Sequence, residues 1–259
     1  MEGVQLGTIA QCESSLAPFA SFNSAFYAFN LPYLFPNRDV AYAFLDGETA
    51  GQMKESVIKD GFRILEYLEN GFRHTTNSVR PIKAPADLKG LKIRTMENPV
   101  HMATYNAMGA LATPMAFGEL YTALQQKAID GQENPYANIN SNKLYEAQKY
   151  ITDNGVFYDV TGFFINPDFF DSLSGDLQSN VKEAAEYCKK INREESIKQD
   201  KEYKEFLKTK LEFTELTDEQ RQAFVDATKS VYDEFRDEIG ADTLDKIIKE
   251  LADINKKMK

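Results

Sequence analysis

The chain changes character near residue 175, and this change limits the folds that it can adopt. Before residue 175, short strand-like runs alternate with helical runs. After it come long, charged, amphipathic stretches such as "DLQSNVKEAAEYCKKINREESIKQDKEYKEFLK". Alternating strands and helices are typical of α/β proteins, so we expect a largely parallel sheet in the first part. The second part is predicted to be helical scaffold.

The sequence patterns predict the following elements. The strand-like runs are "VQLGTIA", "GFRHTT", "LKIRTM", "ATPMA", "AIDGQEN" and "TGFFINP". The helical runs before residue 175 are Thr49–Glu69, Pro99–Met108, "GELYTALQQ" and "SNKLYEAQKY". In the second part, Val181, Ala184, Ala185 and Cys188 share one helical face, and Thr217 with Gln220 forms a capping box that begins a further helix.

The charge of the chain restricts its partners. At 259 residues, with a net charge of −10, the chain is long enough for one large domain or two lobes. Nucleic acid and anionic membranes require a basic surface, so we expect neither as a partner. No run reaches the length of a membrane span, so direct membrane insertion is not expected. Any bound anion must be held by a local positive pocket.

Known cofactor and catalytic motifs are not predicted. The two histidines, His74 and His101, are far apart and have no cysteine at metal-binding spacing, so no metal site is expected. No Gly-x-Ser-x-Gly elbow and no phosphate-binding glycine loop occurs, so no cofactor is predicted. Cys12 and Cys188 are expected to be unrelated buried thiols, and no apolar leader pattern precedes Cys12 that would make it a lipidation site.

Three polar residues lie at the ends of strand-like runs: Arg73, Arg94 and Asn134. If these strands are parallel neighbours, their carboxyl ends meet in one crevice, which is where open α/β sheets bind ligands. Two guanidinium groups and an amide suit a carboxylate, because each charge-assisted hydrogen bond contributes about 1.5 to 3 kcal/mol. Taken alone, Arg94 fits a solvated surface arginine better, since arginine is mostly exposed in proteins.

Three stretches carry a resemblance to a known family. "FNLPYLF", "PADLKGLKIRTMENP" and "ATPMAFGELYTALQQKAIDGQENP" resemble the extracytoplasmic substrate-binding proteins of tripartite ATP-independent periplasmic (TRAP) transporters. The resemblance extends over essentially the whole chain and is most specific from Asp87 to Pro135. It implies a two-lobed α/β clamshell, similar to periplasmic binding proteins, with long bracing helices. It also implies an extracytoplasmic or periplasmic location, although no export signal is predicted in this sequence.

The resemblance assigns roles to individual residues. It implies that Arg94 pairs with a ligand carboxylate, that Asn134 supports this carboxylate, and that Arg73 is the second arginine. It places Phe117 against the ligand, a position that would otherwise suggest a core residue. Glu97 corresponds to a polar position at the far end of the ligand, or else it is a solvent-facing capping residue. Gln11 is expected to line the site from the other lobe.

The resemblance also predicts how the lobes divide. We expect lobe I to comprise residues 1–70 and 161–205, and lobe II to comprise residues 71–160 and 206–259. Family members begin with two further strands and helices before the segment that matches "GVQLGTIA". Lobe I is therefore expected to be incomplete, with its N-terminal part truncated.

The function expected from these patterns is solute binding. The protein would capture a small organic acid, either a sugar acid or a C4-dicarboxylate, and deliver it to the membrane subunits of a TRAP transporter. Glu97 favours a hydroxylated monocarboxylate, because a carboxylate there repels a second ligand carboxylate. The alternatives are an enzyme that acts on organic acids in the same crevice and an interaction module that binds no anion.

Overall fold

A computed structural model describes residues 1–258, and a single mixed sheet of seven strands runs through it. The strands are β1 (Gln11–Ser15), β2 (Arg63–Asn77), β3 (Lys92–Thr95), β4 (Leu111–Pro114), β5 (Gly131–Asn134), β6 (Tyr150–Ile165) and β7 (Glu212–Glu215). Their order is β1-β6-β2-β5-β3-β4, and β7 pairs with β6. The sheet therefore joins strands from distant parts of the chain.

The predicted parallel character of the sheet is wrong for its longest strands. β2 and β6 are antiparallel from Arg63 opposite Ile165 to Asn77 opposite Tyr150, and β2 is also antiparallel to β5. Only β3 with β4, β3 with β5, and β6 with β7 are parallel. The chain therefore runs along its two longest strands, β2 and β6, in opposite directions.

Helices cover the sheet. They are α1 (Glu2–Gln5), α2 (Leu16–Phe19), α3 (Arg38–Leu45), α4 (Glu48–Ser56), α5 (Pro99–Ala107), α6 (Phe117–Gln125), α7 (Tyr136–Ser141), α8 (Pro167–Ser172), α9 (Gly175–Lys208), α10 (Asp218–Thr228), α11 (Ser230–Ile239) and α12 (Ala241–Lys257). Short 3₁₀ helices occupy Ser24–Asn30, Ile58–Asp60, Pro85–Leu88 and Leu144–Ala147. Asn98 caps α5, whose predicted bounds are confirmed to within one residue.

Helix α9 is the predicted scaffold helix and has 34 residues. It packs against β2 and α7, which confirms a bracing position. The face predicted from sequence is largely wrong, because only Ala185 of the four residues is buried and Ala184 and Cys188 are exposed. A helix that lies on the surface buries only a narrow stripe, so apolar spacing alone overestimated its buried face. The capping box of Thr217 and Gln220 at α10 is confirmed.

Three local predictions failed near turns. Residues 4–10, predicted as a strand, form the end of α1 and a turn, and β1 starts only at Gln11. The helix predicted for Thr49–Glu69 ends at Ser56, and Gly61, at φ 85°, is followed by β2. The helix predicted near "SNKLYEAQKY" is divided between α7 and a 3₁₀ turn.

The buried apolar side chains form three clusters on the two sides of a cleft. The first cluster contains Phe19, Phe44 and Phe164, the second surrounds Ile93, and the third surrounds Leu120. Leu244 of α12 and Val231 of α11 also lie in the first cluster. The helices α11 and α12 pack against the 3₁₀ segment Ser24–Asn30, α3 and α5. The assignment of residues 206–259 to lobe II stays a prediction.

Both cysteines are free within residues 1–258, and they differ in exposure. Cys12 is half-buried, whereas Cys188 is exposed on α9, so the expectation of a buried thiol is wrong for Cys188. Across residues 1–258, none of the helices combines the length and the apolar character needed to cross a bilayer.

Candidate ligand-binding site

A cavity of about 430 Å³ lies in the cleft between the clusters. One wall comes from β1, β2 and β6, and the other comes from β3, β5, α6 and α7. Five residues predicted from the sequence line this cavity, namely Arg73, Arg94, Glu97, Phe117 and Asn134. The remaining lining residues are Glu13, Ser14, Ser15, Pro18, Asn70, Met96, Met115, Ala116, Asn138 and Thr161.

Arg94 is a buried cation in the wall of this cavity. It lies near the carboxyl end of β3, is 1% exposed, and donates from Nε and Nη2 to the carbonyl oxygen of Met115 at 2.9 and 2.6 Å. Its Nη1 has no hydrogen-bond partner, and its guanidinium forms no ion pair within residues 1–258. Burial lowers the pKa of Arg94 to about 10, which still leaves it charged at neutral pH. A ligand carboxylate would supply the missing partner.

Phe117 and Glu97 lie on the open side of Arg94. Phe117 begins α6, is 44% exposed, and has its ring centroid 5.9 Å from the Arg94 guanidinium carbon. It is therefore not a core residue, although its type alone suggests one. Glu97 follows β3 in the loop before α5 and is exposed at the edge of the cavity. Its carboxylate gives this edge a negative charge.

The amide of Asn134 is held by its neighbours. Asn134 ends β5, is 1% exposed, and donates from Nδ2 to Gln132 Oε1, while its Oδ1 accepts from Asn138 Nδ2 at 3.3 Å. Gln132 in turn donates to Thr76 at 2.9 Å. These bonds fix the direction of the amide in the cavity wall.

Arg73 also lines the cavity, but its guanidinium is already paired. It is 1% exposed and forms buried ion pairs with Glu133 and Asp159, the second at 2.8 Å from Nη1. Its Nη2 also donates to the carbonyl oxygen of Glu133 at 2.7 Å. Burial opposes the charge of Arg73, but the two carboxylates outweigh this effect and raise its pKa. Its contact with a ligand stays a prediction.

The prediction that Arg73, Arg94 and Asn134 meet at the carboxyl ends of parallel strands is wrong for Arg73. Arg73 lies within β2, which is antiparallel to β5, so the carboxyl ends of β2 and β5 do not converge. His74 lies opposite Asn134 in the register, which places Arg73 beside Glu133 and Asn134. Arg94 and Asn134 do follow the prediction, because β3 and β5 are parallel.

Gln11 is not among the residues that line the cavity. It is the first residue of β1, is exposed, and lies opposite Ile165 in β6. The cavity is lined instead by Glu13, Ser14 and Ser15, further along the same strand. A place in the ligand site for Gln11 stays a prediction.

Asp159 was missed by the sequence analysis. It lies in β6, is 4% exposed, and accepts hydrogen bonds from Ser15 Oγ at 2.6 Å, Asn70 Nδ2 at 2.6 Å and Arg73 Nη1 at 2.8 Å. All three donors line the cavity. The signal in the sequence was a single carboxylate within the apolar run "VFYDVTGFF". A charge in a central strand requires a buried partner.

A larger cavity, of about 710 Å³, lies on the other side of β2. Phe72 and His74 line it, whereas Arg73 between them lines the smaller cavity, because successive strand residues face opposite sides. Asp153 in its wall is paired with Lys204 at 2.6 Å, and Arg221 donates to two backbone carbonyls. The smaller cavity has the unpaired buried guanidinium, which makes it the stronger candidate for binding an acid.

The geometry of the smaller cavity suits a small carboxylic acid. The space is large enough for such a molecule. It is surrounded by the Arg94 guanidinium with its free N–H, the oriented amide of Asn134, the ring of Phe117 and the carboxylate of Glu97 at the edge. Within residues 1–258, no three or more His, Cys, Asp or Glu side chains are grouped so as to hold a metal ion.

The sequence pattern of the family described as "Bacterial extracellular solute-binding protein, family 7" matches residues 1–238. The chain belongs to this family. A relative named "Solute-binding protein", from Verminephrobacter eiseniae, is 44% identical over 193 residues, which cover 74% of this chain and 58% of that relative. This chain thus spans under two thirds of the length of that relative.

Solved structures of TRAP binding proteins have the same fold as this family 7 chain. The sugar acid binding protein DctPAm of Advenella mimigardefordensis, in complex with galactonate, superposes with a TM-score of 0.95 at 32% identity. A TRAP periplasmic solute-binding protein of Shewanella oneidensis with bound succinate superposes with a TM-score of 0.92 at 30% identity. The matches cover 98% and 96% of this chain, and 82% of each solved chain. The predicted α/β clamshell fold is confirmed.

Proposed function

We propose that this family 7 protein is an extracytoplasmic solute-binding protein that captures a small organic acid and delivers it to the membrane subunits of a TRAP transporter. The observation that carries the proposal is the buried Arg94 guanidinium, which has no carboxylate partner and faces a cavity in the cleft. The similar proteins with galactonate and succinate support a sugar acid or a C4-dicarboxylate as the ligand class. Closure of the two lobes over the acid would create the surface that the transporter recognises.

A thermal-shift screen of organic acids tests this proposal. A ligand that binds only the folded protein stabilises it by RT ln(1 + [L]/Kd), so a binding acid raises the melting temperature in a concentration-dependent way. Each acid that shifts the melting temperature is then incubated with the protein and its amount is measured over time. A binding protein leaves the amount unchanged, whereas the alternative, an enzyme, consumes the acid. No shift with any sugar acid or dicarboxylate would contradict the proposal.

The Glu97→Gln variant is expected to change ligand selectivity. Glu97 gives the cavity edge a negative charge, so its removal reduces the repulsion of a second ligand carboxylate. We expect the affinity for succinate to rise severalfold relative to that for hydroxylated monocarboxylates, measured by calorimetric titration. Glu234→Gln, an exposed substitution on α11, is the matched control with the same change of charge. An unchanged affinity ratio would place Glu97 outside the site.

A further inference from the structure

The two arginines of the cavity differ in the number of carboxylates around them. Arg94 has no carboxylate partner within residues 1–258, whereas the single charge of Arg73 faces both Glu133 and Asp159. Both of these carboxylates are buried, at 0% and 4% exposure. Two carboxylates therefore face one guanidinium, and Glu133 also has His101 Nδ1 at 3.7 Å from its Oε1. Arg73 adds no net attraction for a ligand anion.

Glu133 alone suffices to pair Arg73. It accepts from Nε and Nη2 of the guanidinium through its carboxylate, and its backbone oxygen also accepts from Nη2. Asp159 takes the remaining Nη1 at 2.8 Å. Without Asp159, this Nη1 would have no carboxylate partner. It belongs to a residue that lines the cavity. Asp159 therefore withdraws the second arginine from the ligand.

The same carboxylate orders the opposite wall. Ser15 and Asn70 line the cavity and donate to Asp159 at 2.6 Å each. Ser15 also caps α2 by accepting from the Ala17 N–H at 3.1 Å. These bonds keep the Ser15 and Asn70 side chains in place as polar, uncharged groups beside the cavity. Such groups suit ligand hydroxyls rather than a second ligand carboxylate.

We infer that Asp159 determines the charge of the ligand by neutralising Arg73, so that the cleft selects acids with a single carboxylate. This inference rests on the proposed function and specifies its substrate class. One ligand carboxylate meets Arg94, and a second one finds no unpaired arginine and approaches Glu13 and Glu97 at the cavity wall. The hydroxylated part of a monocarboxylate meets Ser15 and Asn70 instead. Asp159 acts through Arg73 and is a positioning residue.

The test compares acids that differ by one carboxylate. The first pair is galactonate and galactarate, which share a hydroxylated chain, and the second is succinamate and succinate, which share a length. We expect the unaltered protein to bind the monoanion of at least one pair more tightly than its dianion. In Asp159→Asn, the negative charge beside Arg73 is lost while a hydrogen-bond acceptor can remain, which should raise the dianion-to-monoanion affinity ratio about tenfold or more. Calorimetric titration measures each Kd.

The controls separate this role from a structural one. Arg73 stays paired with Glu133 in Asp159→Asn, so the fold should be retained. Asp159→Thr gives a second neutral side chain that suits a strand, in case the asparagine variant does not fold. Asp253→Asn, an exposed substitution on α12, makes the same change of charge far from the cavity and should leave the affinity ratio unchanged.

Three results would overturn the inference. The first is an equal loss of affinity for both acids of a pair, which is the effect of a merely structural residue. The second is an unchanged affinity ratio in Asp159→Asn and Asp159→Thr. The third is unaltered protein that binds the dianions as tightly as the monoanions. If no sugar acid or dicarboxylate raises the melting temperature in the thermal-shift screen, the failure is that of the proposed function and not of this inference alone.

Discussion

Replacement of Arg94 by lysine is expected to weaken ligand binding by about 1 to 3 kcal/mol, roughly ten- to a hundredfold in Kd. Lysine keeps the positive charge but loses the planar guanidinium, so it meets a carboxylate only as a point charge. Arg94→Ala should weaken binding further. The measurement is calorimetric titration with an acid that the thermal-shift screen has identified.

The free energy of unfolding should change little when Arg94 is replaced. Arg94 is a buried cation that forms no ion pair within residues 1–258, and burial lowers its pKa to about 10. Its removal leaves no carboxylate unpaired, so Arg94→Met should unfold at a similar or higher urea concentration.

Arg80→Lys is a matched control, because Arg80 also donates from Nε and Nη2 to backbone carbonyls, those of Asp87 and Lys89. It lies outside the cavity, so Arg80→Lys should leave the affinity unchanged. A large decrease in melting temperature with unchanged affinity in Arg94→Lys would identify Arg94 as a structural residue.

Replacement of Arg73 should affect stability far more than replacement of Arg94. Arg73→Met leaves the buried carboxylates of Glu133 and Asp159 without their common partner. Breaking a buried ion pair in this way costs about 3 to 5 kcal/mol in the free energy of unfolding. Urea unfolding at neutral pH measures this loss.

An exposed ion pair provides the control for Arg73. Arg236 contacts Asp245 with two hydrogen bonds of 2.8 and 2.6 Å, but both side chains are substantially exposed. Arg236→Met should therefore lower the free energy of unfolding much less than Arg73→Met. Equal losses in the two variants would contradict the structural role of the buried pair.

The loss of folding stability at acidic pH should depend on the buried ion pair of Arg73 and Glu133. Burial acts to raise the pKa of Glu133, but Arg73, together with His101, outweighs it and lowers the pKa from 4.5 to about 2. A carboxyl whose pKa is lower in the folded state stabilises the protein above its unfolded pKa. This contribution should be lost as the pH falls from about 4.5 towards 2, and Arg73→Met should lack this part of the acid dependence. Urea unfolding across this pH range measures it.

The sequence by itself determined the parts of the site that depend on neighbouring residues. Arg94 lies one residue before the end of β3 and Asn134 ends β5, and Pro99 and Pro135 follow closely, so these positions near strand ends could be predicted from local spacing. The cap of Thr217 by Gln220 is equally local, since its two residues are one helical turn apart. The resemblance of "MAFGELYTALQ" to a known family also indicated Phe117, which lines the cavity, while its contact with a ligand stays a prediction.

Only the tertiary structure decided the state of the two arginines. Arg73 and Arg94 look alike in the sequence, yet Arg73 is neutralised by Glu133 and Asp159, which are 60 and 86 residues away. These partners meet because β2 lies between β5 and β6 and is antiparallel to both. Strand pairing depends on long-range burial and register rather than on local spacing, since a shift of one residue reverses every side chain. The ligand-facing charge of the cleft is therefore a property of the folded sheet.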